Sequence, residues 1–315
     1  FLPQGRESHL ARLEAAIDDA ADGVPSVVLV TGDAGSGKSR LLQEVGSRAL
    51  SRHENAVVLW GNCPRGFGAM SDHEPWRQIL AQLLRDPIAG DSGPLPAVSA
   101  QRLDARLPQT AAALAGPAAH LVGRLTATSA LHQPHVLESL DPDLRRLAEV
   151  TAASPSNQQV TRNDIDAAVM LLLERLAAGG PVVIVLDNLH WADEASRSTI
   201  HHIASTLATR RLPIVLLGSI RTGDPSTERD TQRLLDGVTA CFPDAVLDLA
   251  STLGGESGRS FVDAAVARLG LHPLADRLFE RTGGMPLYVM SFLRLHALDA
   301  SAIDGNNVPA ELDAV

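Results

Sequence analysis

One run near the start of the chain predicts much of the fold: Val27-Val28-Leu29-Val30-Thr31-Gly32-Asp33-Ala34-Gly35-Ser36-Gly37-Lys38-Ser39. Its first four residues are apolar, which is typical of a strand buried on both faces of a parallel sheet. The pattern G-x-x-x-x-G-K-S follows from Gly32 to Ser39, and a helical pattern continues over residues 39–50. A strand, this motif and a helix in succession predict a phosphate-binding loop.

The residue types of this loop suit an anionic ligand. Glycines let successive backbone N–H groups face one anion, and the following helix adds the partial positive charge of its first turn. Lys38 would reach the β- and γ-phosphates of a nucleotide, and the Ser39 hydroxyl would join a Mg²⁺ ion, which prefers oxygen ligands. We therefore expect the phosphate-binding residues to be Gly32, Asp33, Ala34, Gly35, Ser36, Gly37, Lys38, Ser39 and Arg40.

Lysine usage points to the same position. Of the 27 basic residues, Lys38 is the one lysine and all the others are arginines. A planar guanidinium does not replace a slim ammonium at every site, so a lysine kept at this single position indicates a role. The guanine-reading motifs N-K-x-D and T-K-x-D also need a lysine, and their absence favours ATP over GTP.

Further apolar runs predict the remaining strands. They lie at residues 56–60, 182–186, 214–217 and 245–247, and helical patterns separate them. One of these helices carries an apolar stripe over residues 165–176, and we expect Asn163 to cap it and Gly179-Gly180-Pro181 to stop it. Strands that alternate with helices predict an α/β doubly wound domain with a mostly parallel sheet flanked by helices.

The strand pattern also divides the chain. We expect a P-loop nucleotide-binding domain over residues 1–250, with an insertion of helices and loops at about residues 85–160. Residues 251–300 contain helical patterns and predict a small helical domain, whereas 301–315 resemble a linker or the truncated start of a further domain. The first residue is not Met, which suggests a fragment of a longer protein.

Composition excludes several classes of protein. With 45% hydrophobic residues in 315, the chain can bury a core and is neither disordered nor fibrous. The formal net charge of −10 disfavours a surface that binds DNA broadly by itself. No apolar run approaches the ~20 residues of a membrane helix. Cys63 and Cys241 lack disulfide or metal-site spacing, as expected for a cytoplasmic protein.

A second motif ends the third predicted strand, with the sequence Leu186-Asp187-Asn188-Leu189-His190-Trp191-Ala192-Asp193. A carboxylate at the carboxyl end of a buried strand lies where ligands bind in open α/β sheets. We therefore expect Asp187 to hold Mg²⁺ opposite Ser39, as a Walker B aspartate does. His190 and Trp191 are expected to be structural residues, with Trp191 packed in the core.

Asn188 stands where a general base for an attacking water is expected. An amide can orient a water but cannot accept its proton, so hydrolysis would be slow or the base would be Asp193 or Glu194. Asp193 is better explained as the N-cap of the helix that follows. Arg221 follows the fourth strand, where it either contacts the γ-phosphate or lies exposed in a loop.

In their order along the chain, these motifs resemble those of STAND ATPases, in particular the ATPase module of large LuxR-type and SARP-type bacterial transcriptional regulators. The resemblance covers about residues 3–298, and the block from Asp187 to Ser196 is its most specific part. The segments that carry it are Pro3-Gln4-Gly5-Arg6-Glu7, Gly32–Ser39 with Arg40-Leu41-Leu42, Leu186–Ser196, Arg221 and Gly283-Gly284-Met285-Pro286.

The resemblance implies an architecture and further site residues. The sheet would have the strand order 5-1-4-3-2, and a small helical domain would follow it. Gly5, Arg6 and Glu7 would lie near the adenine. Pro286 would pack on the adenine from the helical domain, and Arg221 would occupy the sensor position.

The resemblance also implies an activity, that of an ATP/ADP switch whose ATP form is a homo-oligomer that activates transcription. DNA would be bound through other domains of the parent protein, and no membrane partner is implied. The family usually has a second acid where this chain has Asn188, so slow Mg²⁺-dependent hydrolysis is expected. Two alternatives remain open: a pseudo-ATPase that holds ADP as a structural element, and a P-loop small-molecule kinase.

Overall fold

The computed structural model describes residues 6–65, 72–86, 97–153, 160–249 and 256–298. Its strands are β1 (Ser26–Gly32), β2 (Val57–Asn62), β3 (Val182–Asp187), β4 (Ile214–Arg221) and β5 (Val246–Asp248). Within these ranges the five strands form one sheet of order β2-β3-β4-β1-β5, and all neighbouring pairs are parallel. The expected α/β class and the strand order 5-1-4-3-2 are confirmed.

Helices precede, separate and follow these strands. Those in the described ranges are α1 (Glu7–Ala21), α2 (Lys38–Arg52), α3 (Glu74–Leu84), α4 (Ala97–Ala115), α5 (Pro134–Glu138), α6 (Pro142–Ala153), α7 (Arg162–Ala177), α8 (Glu194–Leu207), α9 (Glu228–Cys241), α10 (Glu256–Leu269), α11 (Ala275–Thr282) and α12 (Pro286–Leu298). No helix in the part of the chain that the structure describes has the length and apolar character needed to cross a bilayer.

The central strand β1 is buried on both faces, as its continuous apolar run predicts. Val28 and Val30 pack into the core on the side of α1 and α2. Val27 and Leu29 pack into the larger core on the other side, which also contains residues of α3, α4, α7 and α8. Alternate residues of a strand point to opposite faces, so an apolar run without polar interruption fits a strand covered by helices on both sides.

The carboxyl ends of the strands meet at one edge of the sheet. In the register of the ladder, Gly32 at the end of β1 pairs with Arg221 at the end of β4. Asn62 at the end of β2 pairs with Asp187 at the end of β3. The residues that the motifs place at strand ends are therefore brought together by the parallel pairing itself.

The insertion between β2 and β3 packs on the sheet through α3 and α4. Where the structure describes the expected insertion, it contains α4, α5 and α6, and residues 87–96 and 154–159 lie outside the described ranges. Trp76 of α3 and Leu103 of α4 are both 1% exposed in the larger core. The boundary expected for the insertion stays a prediction.

Two arginines of α4 bind backbone carbonyl groups at the opposite edge of the sheet, where the strands begin. Arg102 donates to the carbonyl oxygens of Leu50, His53 and Ala56 at 2.8 to 2.9 Å. Arg106, which is 5% exposed, donates to those of Asn55, Leu176, Gly179 and Gly180. Together they satisfy carbonyl groups at the ends of α2 and α7 that have no helical partner.

The start of α7 corrects one expectation. Its N-cap is Thr161, not Asn163, which lies inside the first turn. The Thr161 hydroxyl accepts from the Asp164 N–H at 3.3 Å, and the Asp164 carboxylate accepts from the Thr161 N–H at 2.7 Å. A threonine followed three residues later by an acid satisfies two backbone donors at once, whereas Asn163 alone would satisfy one.

The helices after the sheet build a third core of their own. Residues of α10, α11 and α12 form it, among them Val262, Leu278 and Val289. At Gly284 a Cβ would lie 2.5 Å from the Gly258 Cα, so the chain approaches itself too closely there for any side chain. Residues 250–255 and 299–315 lie outside the described ranges, so the expected boundary at residue 250 and the expected linker stay predictions.

Candidate nucleotide-binding site

The loop between β1 and α2 has the backbone conformation of an anion cradle. Gly35 and Gly37 have φ values of 75° and 91°, in the left-handed region that other residues rarely adopt. A Cβ at Gly37 would meet nothing within 4 Å, so the backbone angle alone requires glycine there. At Gly35 a Cβ would also lie 2.7 Å from the Leu287 Cβ of α12. The loop is therefore shaped by glycine and held close to the helices after the sheet.

The Lys38 ammonium lies over this loop. Its Nζ donates to the carbonyl oxygens of Gly32 at 2.8 Å and Asp33 at 2.6 Å, and more weakly to the Ser36 hydroxyl at 3.4 Å. Burial lowers the pKa of Lys38 to about 8, although the Asp187 and Asp33 carboxylates oppose this change. A polyanion next to the ammonium would favour its charged form.

The structure brings the hydroxyl of Ser39 and the carboxylate of Asp187 together, as the motifs predict. Ser39 Oγ donates to Asp187 Oδ1 at 2.9 Å. The same oxygen accepts from the Ser219 hydroxyl and from the Asn188 N–H. Asp187 is 8% exposed, so a ring of donors fixes a buried carboxylate beside the first turn of α2.

Ser219 is a site residue that the sequence interpretation missed. It lies in β4, directly after Gly218, which pairs with Leu186 of β3, and its hydroxyl donates to the carboxylate of Asp187 at the end of β3. The signal was a polar residue inside an otherwise apolar run, Ile214 to Ile220. A buried hydroxyl in a central strand needs a partner, and here the partner is the carboxylate on the neighbouring strand.

Asn188 has a defined orientation. Its backbone is left-handed, with φ 59° and ψ 40°. Its side-chain Nδ2 donates to the Oδ1 of Asn62 at 2.9 Å, and Gln78 of α3 in turn bonds both backbone groups of Asn62. The amide is thus held between the ends of β2 and β3, and Asn188 lines the cavity described below.

The two alternative bases are used elsewhere. Asp193 is the N-cap of α8 and accepts from the N–H and the hydroxyl of Ser196 at 2.7 and 2.6 Å, and from the N–H of His73. Burial favours a higher pKa of Asp193, but these hydrogen bonds outweigh it and hold the pKa below its usual value. Glu194 pairs with Arg162 at 3.0 Å on an exposed surface. Neither acid lines the cavity.

A cavity of about 470 Å³ opens beside the loop, within the range typical of small-molecule sites. Cationic side chains contribute to its wall, and the described lining contains no carboxylate. The cations are Arg6, Lys38, Arg40, Arg221 and Arg294. The apolar lining residues are Leu249, Phe261, Pro286, Leu287, Met290 and Trp191, together with parts of the loop. Such a wall suits a ligand with an anionic part and an apolar part.

Arg6 connects the loop to the end of the sheet. Its guanidinium donates to the carbonyl oxygens of Leu249 at 3.1 Å and Ser36 at 3.5 Å. Arg6 is 5% exposed; burial lowers its pKa to about 10, and Asp248 opposes this change. Of the residues expected near the adenine, Arg6 and Pro286 line the cavity, whereas Glu7 is exposed in the first turn of α1.

Gly5, the remaining residue expected near the adenine, lies outside the described ranges. Arg221 does line the cavity, from the end of β4. Pro286 is the first residue of α12, and the N–H of the next residue, Leu287, donates to the Gly35 carbonyl at 3.3 Å. The helices after the sheet therefore touch the phosphate-binding loop directly.

His190 and Trp191 lie in the cavity wall, which the expectation of purely structural roles did not anticipate. The Trp191 ring is half-buried and has the Arg65 guanidinium 5.8 Å from its centroid. His190 is 5% exposed. No group of three or more His, Cys, Asp or Glu residues in the described ranges is arranged to hold a metal ion. A metal here would thus depend on Ser39, Asp187 and oxygen atoms of a ligand or water.

The residues present fit a nucleotide with a divalent cation. The loop offers backbone N–H groups and an ammonium, and the wall offers cations without carboxylates. The hydroxyl of Ser39 and the carboxylate of Asp187 are the oxygen donor types that Mg²⁺ prefers, and they lie 2.9 Å apart.

Comparisons with known proteins show a family and two similar proteins. A family model described as the AAA ATPase domain matches residues 3–217. An uncharacterized protein of Rhizobium meliloti (strain 1021) is 27% identical over 220 residues, which is 69% of this chain and 18% of that protein. The chain thus spans about 18% of the length of this relative. A solved Walker-type ATPase of Pyrococcus abyssi is 11% identical, with a TM-score of 0.47 over 94% of this chain and 68% of that chain.

Proposed function

The chain belongs to the AAA ATPase domain family, and on that premise we propose that it is an ATP-binding switch that hydrolyses ATP slowly with Mg²⁺. The observation that carries the proposal is the hydrogen bond from Ser39 Oγ, which lines the cation-rich cavity, to Oδ1 of the buried Asp187. A hydroxyl and a carboxylate are ligand types that Mg²⁺ prefers, and Ser39 directly follows Lys38, whose ammonium would bind the phosphates of a nucleotide.

Binding would exchange one set of Lys38 hydrogen bonds for another. In the structure the ammonium donates to loop carbonyl groups, which are neutral acceptors. Phosphate oxygens carry charge, and hydrogen bonds to charged groups contribute ~1.5–3 kcal/mol each. The apolar residues of the wall, Phe261, Pro286 and Met290, would cover the adenine.

Ser39 and Asp187 would hold the metal. Bound Mg²⁺ supplies charge that neutralises the β- and γ-phosphate oxygens. The part of this chain is to hold the Asp187 carboxylate in place, and the hydrogen bonds from Ser219 and the Asn188 N–H do so.

We attribute slow turnover to the side chain of Asn188, which is an amide and not a carboxylate. Its amide is fixed by Asn62 and can orient a water in the cavity, but it cannot take a proton. Asp193 is engaged as a helix cap and Glu194 pairs with Arg162, so neither offers a free base to the cavity. The same arrangement supports the second candidate, a pseudo-ATPase that retains ADP.

The switch itself would be the helical unit α10–α12. Its Leu287 N–H bonds the loop at Gly35, and its Pro286 and Arg294 line the cavity, so a nucleotide would contact both the sheet domain and this unit. A ligand shifts a conformational equilibrium only through a difference in contacts between the two states, and the γ-phosphate supplies such a difference. We further propose that the ATP state self-associates within a larger LuxR-type or SARP-type transcriptional regulator, whose other domains bind DNA.

The test is phosphate release at saturating Mg-ATP, together with calorimetric binding of ATP and ADP. We expect measurable but slow release, and an increase of at least tenfold in Asn188→Asp, since a positioned general base contributes ~10²–10⁴-fold. Asn163→Asp, the same change at an exposed position in the first turn of α7, is the matched control and should leave the rate unchanged.

Other outcomes separate the alternatives. Retained nucleotide without any phosphate release would support the pseudo-ATPase, and release that depends on an added acceptor would support a kinase. If Asn188→Asp releases phosphate no faster than the unchanged chain, the missing-base explanation of slow hydrolysis is wrong.

A further inference from the structure

A second cavity lies between the end of α3 and the insertion, away from the phosphate-binding loop. It has a volume of about 570 Å³ and opens to solvent, and its described lining consists of Arg85, Asp104, Leu107, Gln133 and His135. These residues come from the end of α3, from α4 and from the start of α5. Cavities of this volume commonly hold small molecules, and none of these residues lines the nucleotide cavity.

Arg85 has an unusual backbone conformation at the edge of this cavity. It ends α3 with φ 54° and ψ 39°, in the left-handed region where a helix end usually has glycine. Its guanidinium pairs with the Asp104 carboxylate at 3.0 Å, and the exposed fractions of the two side chains are 36% and 57%. An exposed ion pair contributes little to stability, so this pair does not offset the strain of an arginine in that conformation.

Two further polar side chains of the lining are oriented by hydrogen bonds. His135 Nε2 donates to the Leu84 carbonyl oxygen at 2.9 Å, so in the neutral ring Nδ1 is an acceptor. Gln133 Nε2 donates to the Asp86 carboxylate at 3.3 Å, which leaves Oε1 as an acceptor. Neither Nδ1 of His135 nor Oε1 of Gln133 has a partner among the residues that the structure describes.

The lining therefore combines one cationic donor with several acceptors. The Arg85 guanidinium makes no hydrogen bond to the described part of the chain, and a guanidinium can bind a carboxylate through two parallel N–H groups. The acceptor atoms and the negative end of the α3 dipole suit an ammonium group. Leu107, which is 6% exposed, adds apolar surface. A ligand with a carboxylate, an ammonium and an apolar part matches all three features.

We propose that this cavity binds a free α-amino acid with an apolar side chain. Arg85 binds the carboxylate of the ligand, and Asp104 binds its ammonium together with the acceptor atoms of Gln133 and His135. The apolar side chain packs on Leu107. This inference goes beyond the proposed function and does not depend on nucleotide binding, because the two cavities share no described lining residue.

Calorimetry with leucine and two of its analogues tests the recognition of both charges. Isopentylamine lacks the carboxylate of leucine, and isocaproate lacks its ammonium. Hydrogen bonds between charged groups are the strong ones, so we expect each analogue to bind at least about tenfold more weakly than leucine. Equal affinity for leucine and either analogue, or no binding of leucine at millimolar concentrations, would overturn the proposal.

Two variants test the residues of the cavity. Arg85→Gly removes the guanidinium and relieves the left-handed strain, so leucine affinity should fall at least about tenfold while the midpoint of thermal unfolding stays or rises. Asp104→Asn removes the carboxylate charge and should weaken leucine binding more than isocaproate binding. Arg146→Gln, which removes an exposed cation of α6, is the control and should leave leucine affinity unchanged.

The variants also separate binding from structure. If leucine affinity and the unfolding midpoint fall together in Arg85→Gly, the arginine stabilises the end of α3 and its assignment to the ligand is wrong. Leucine affinity that survives both cavity variants would equally refute the site. ATP affinity of Arg85→Gly should equal that of the unchanged chain, and a chain that binds leucine but no ATP would contradict the proposed function alone.

Discussion

Cationic side chains are buried at both edges of the sheet, with different consequences. At the amino edge, Arg102 and Arg106 of α4 donate to carbonyl groups at the ends of α2 and α7 and in the loops that enter β2 and β3. At the carboxyl edge, Lys38 and Arg221 lie in the wall of a cavity. Burial lowers the pKa of both Arg106 and Lys38, so burial alone does not identify a ligand site.

What separates the two edges is the identity of the acceptors. The acceptors of Arg106 are carbonyl groups at the end of α7 and in the loops that enter β2 and β3, where strand and helix ladders leave carbonyl groups in need of donors. The Lys38 ammonium rests on loop carbonyl groups beside open space, and its flexible stem can carry it to a phosphate. The contrast predicts that the amino edge governs stability and the carboxyl edge governs binding.

The largest effect is expected at the amino edge. Arg106→Met removes a guanidinium that donates to four carbonyl groups, and we expect the free energy of unfolding to fall by ~3 kcal/mol because buried acceptors lose their partners. Urea denaturation measures this. Arg146→Met, an exposed change on α6, is the control and should cost little. If ATP affinity fell while stability stayed, the division of roles between the edges would be refuted.

The next effect is expected in binding. Lys38→Ala removes the ammonium from the phosphate-binding loop, so ATP affinity should fall at least tenfold, which corresponds to about 1.4 kcal/mol or more. The free energy of unfolding should change little or rise, because a buried charge is removed. Calorimetry and urea denaturation of the same samples give both numbers. ATP affinity equal to that of the unchanged chain would contradict the assignment of the loop.

A smaller effect is expected at Ser219. Ser219→Ala removes one donor to the Asp187 carboxylate, and we expect Mg²⁺-dependent ATP affinity to fall about fivefold, or ~1 kcal/mol. Ser205→Ala, an exposed change on α8, is the matched control. Titrations with and without EDTA separate the metal-dependent part. An equal loss in the presence of EDTA would show that Ser219 supports the fold and not the metal ligand.

The smallest expected effect is the pH dependence of stability. The pKa of Lys38 is lowered from 10.5 to about 8 on folding, so between these values the unfolded chain binds more protons and stability should rise with pH. Relative to Lys38→Met, the rise from pH 8 to 9 should not exceed ~1 kcal/mol. Urea denaturation at several pH values measures the difference between the two proteins. Parallel pH profiles would show that the ammonium is not desolvated by folding.

Local sequence patterns were sufficient to predict the sheet and the phosphate-binding loop. Apolar runs marked all five strands, and the strand order came from the family resemblance and agrees with the structure. The loop could be assigned because its residues are contiguous and their spacing is itself the signal. The roles of Gly5 and Glu7 and the boundaries of the domains remain predictions.

Contacts between distant segments could not be predicted in the same way. Arg106 donates hydrogen bonds to carbonyl groups more than 50 positions away along the chain in either direction. No local sequence pattern distinguishes it from an exposed arginine. Ser219 meets the Asp187 carboxylate only when β3 and β4 pair. At Thr161 the error was local, since the acid at Asp164 signals a capping box that outweighs the nearer Asn163.

The position of Trp191 has an optical consequence. Of the three tryptophans in the chain, Trp191 is the one that lines the cavity, where its indole lies beside His190 with 4.3 Å between ring centroids. Trp76 is enclosed in the larger core, and Trp60 packs on the core at the other face of the sheet. Emission from Trp191 should therefore report occupancy of the cavity without any attached label, and the spectrum of a Trp191→Phe variant supplies the background.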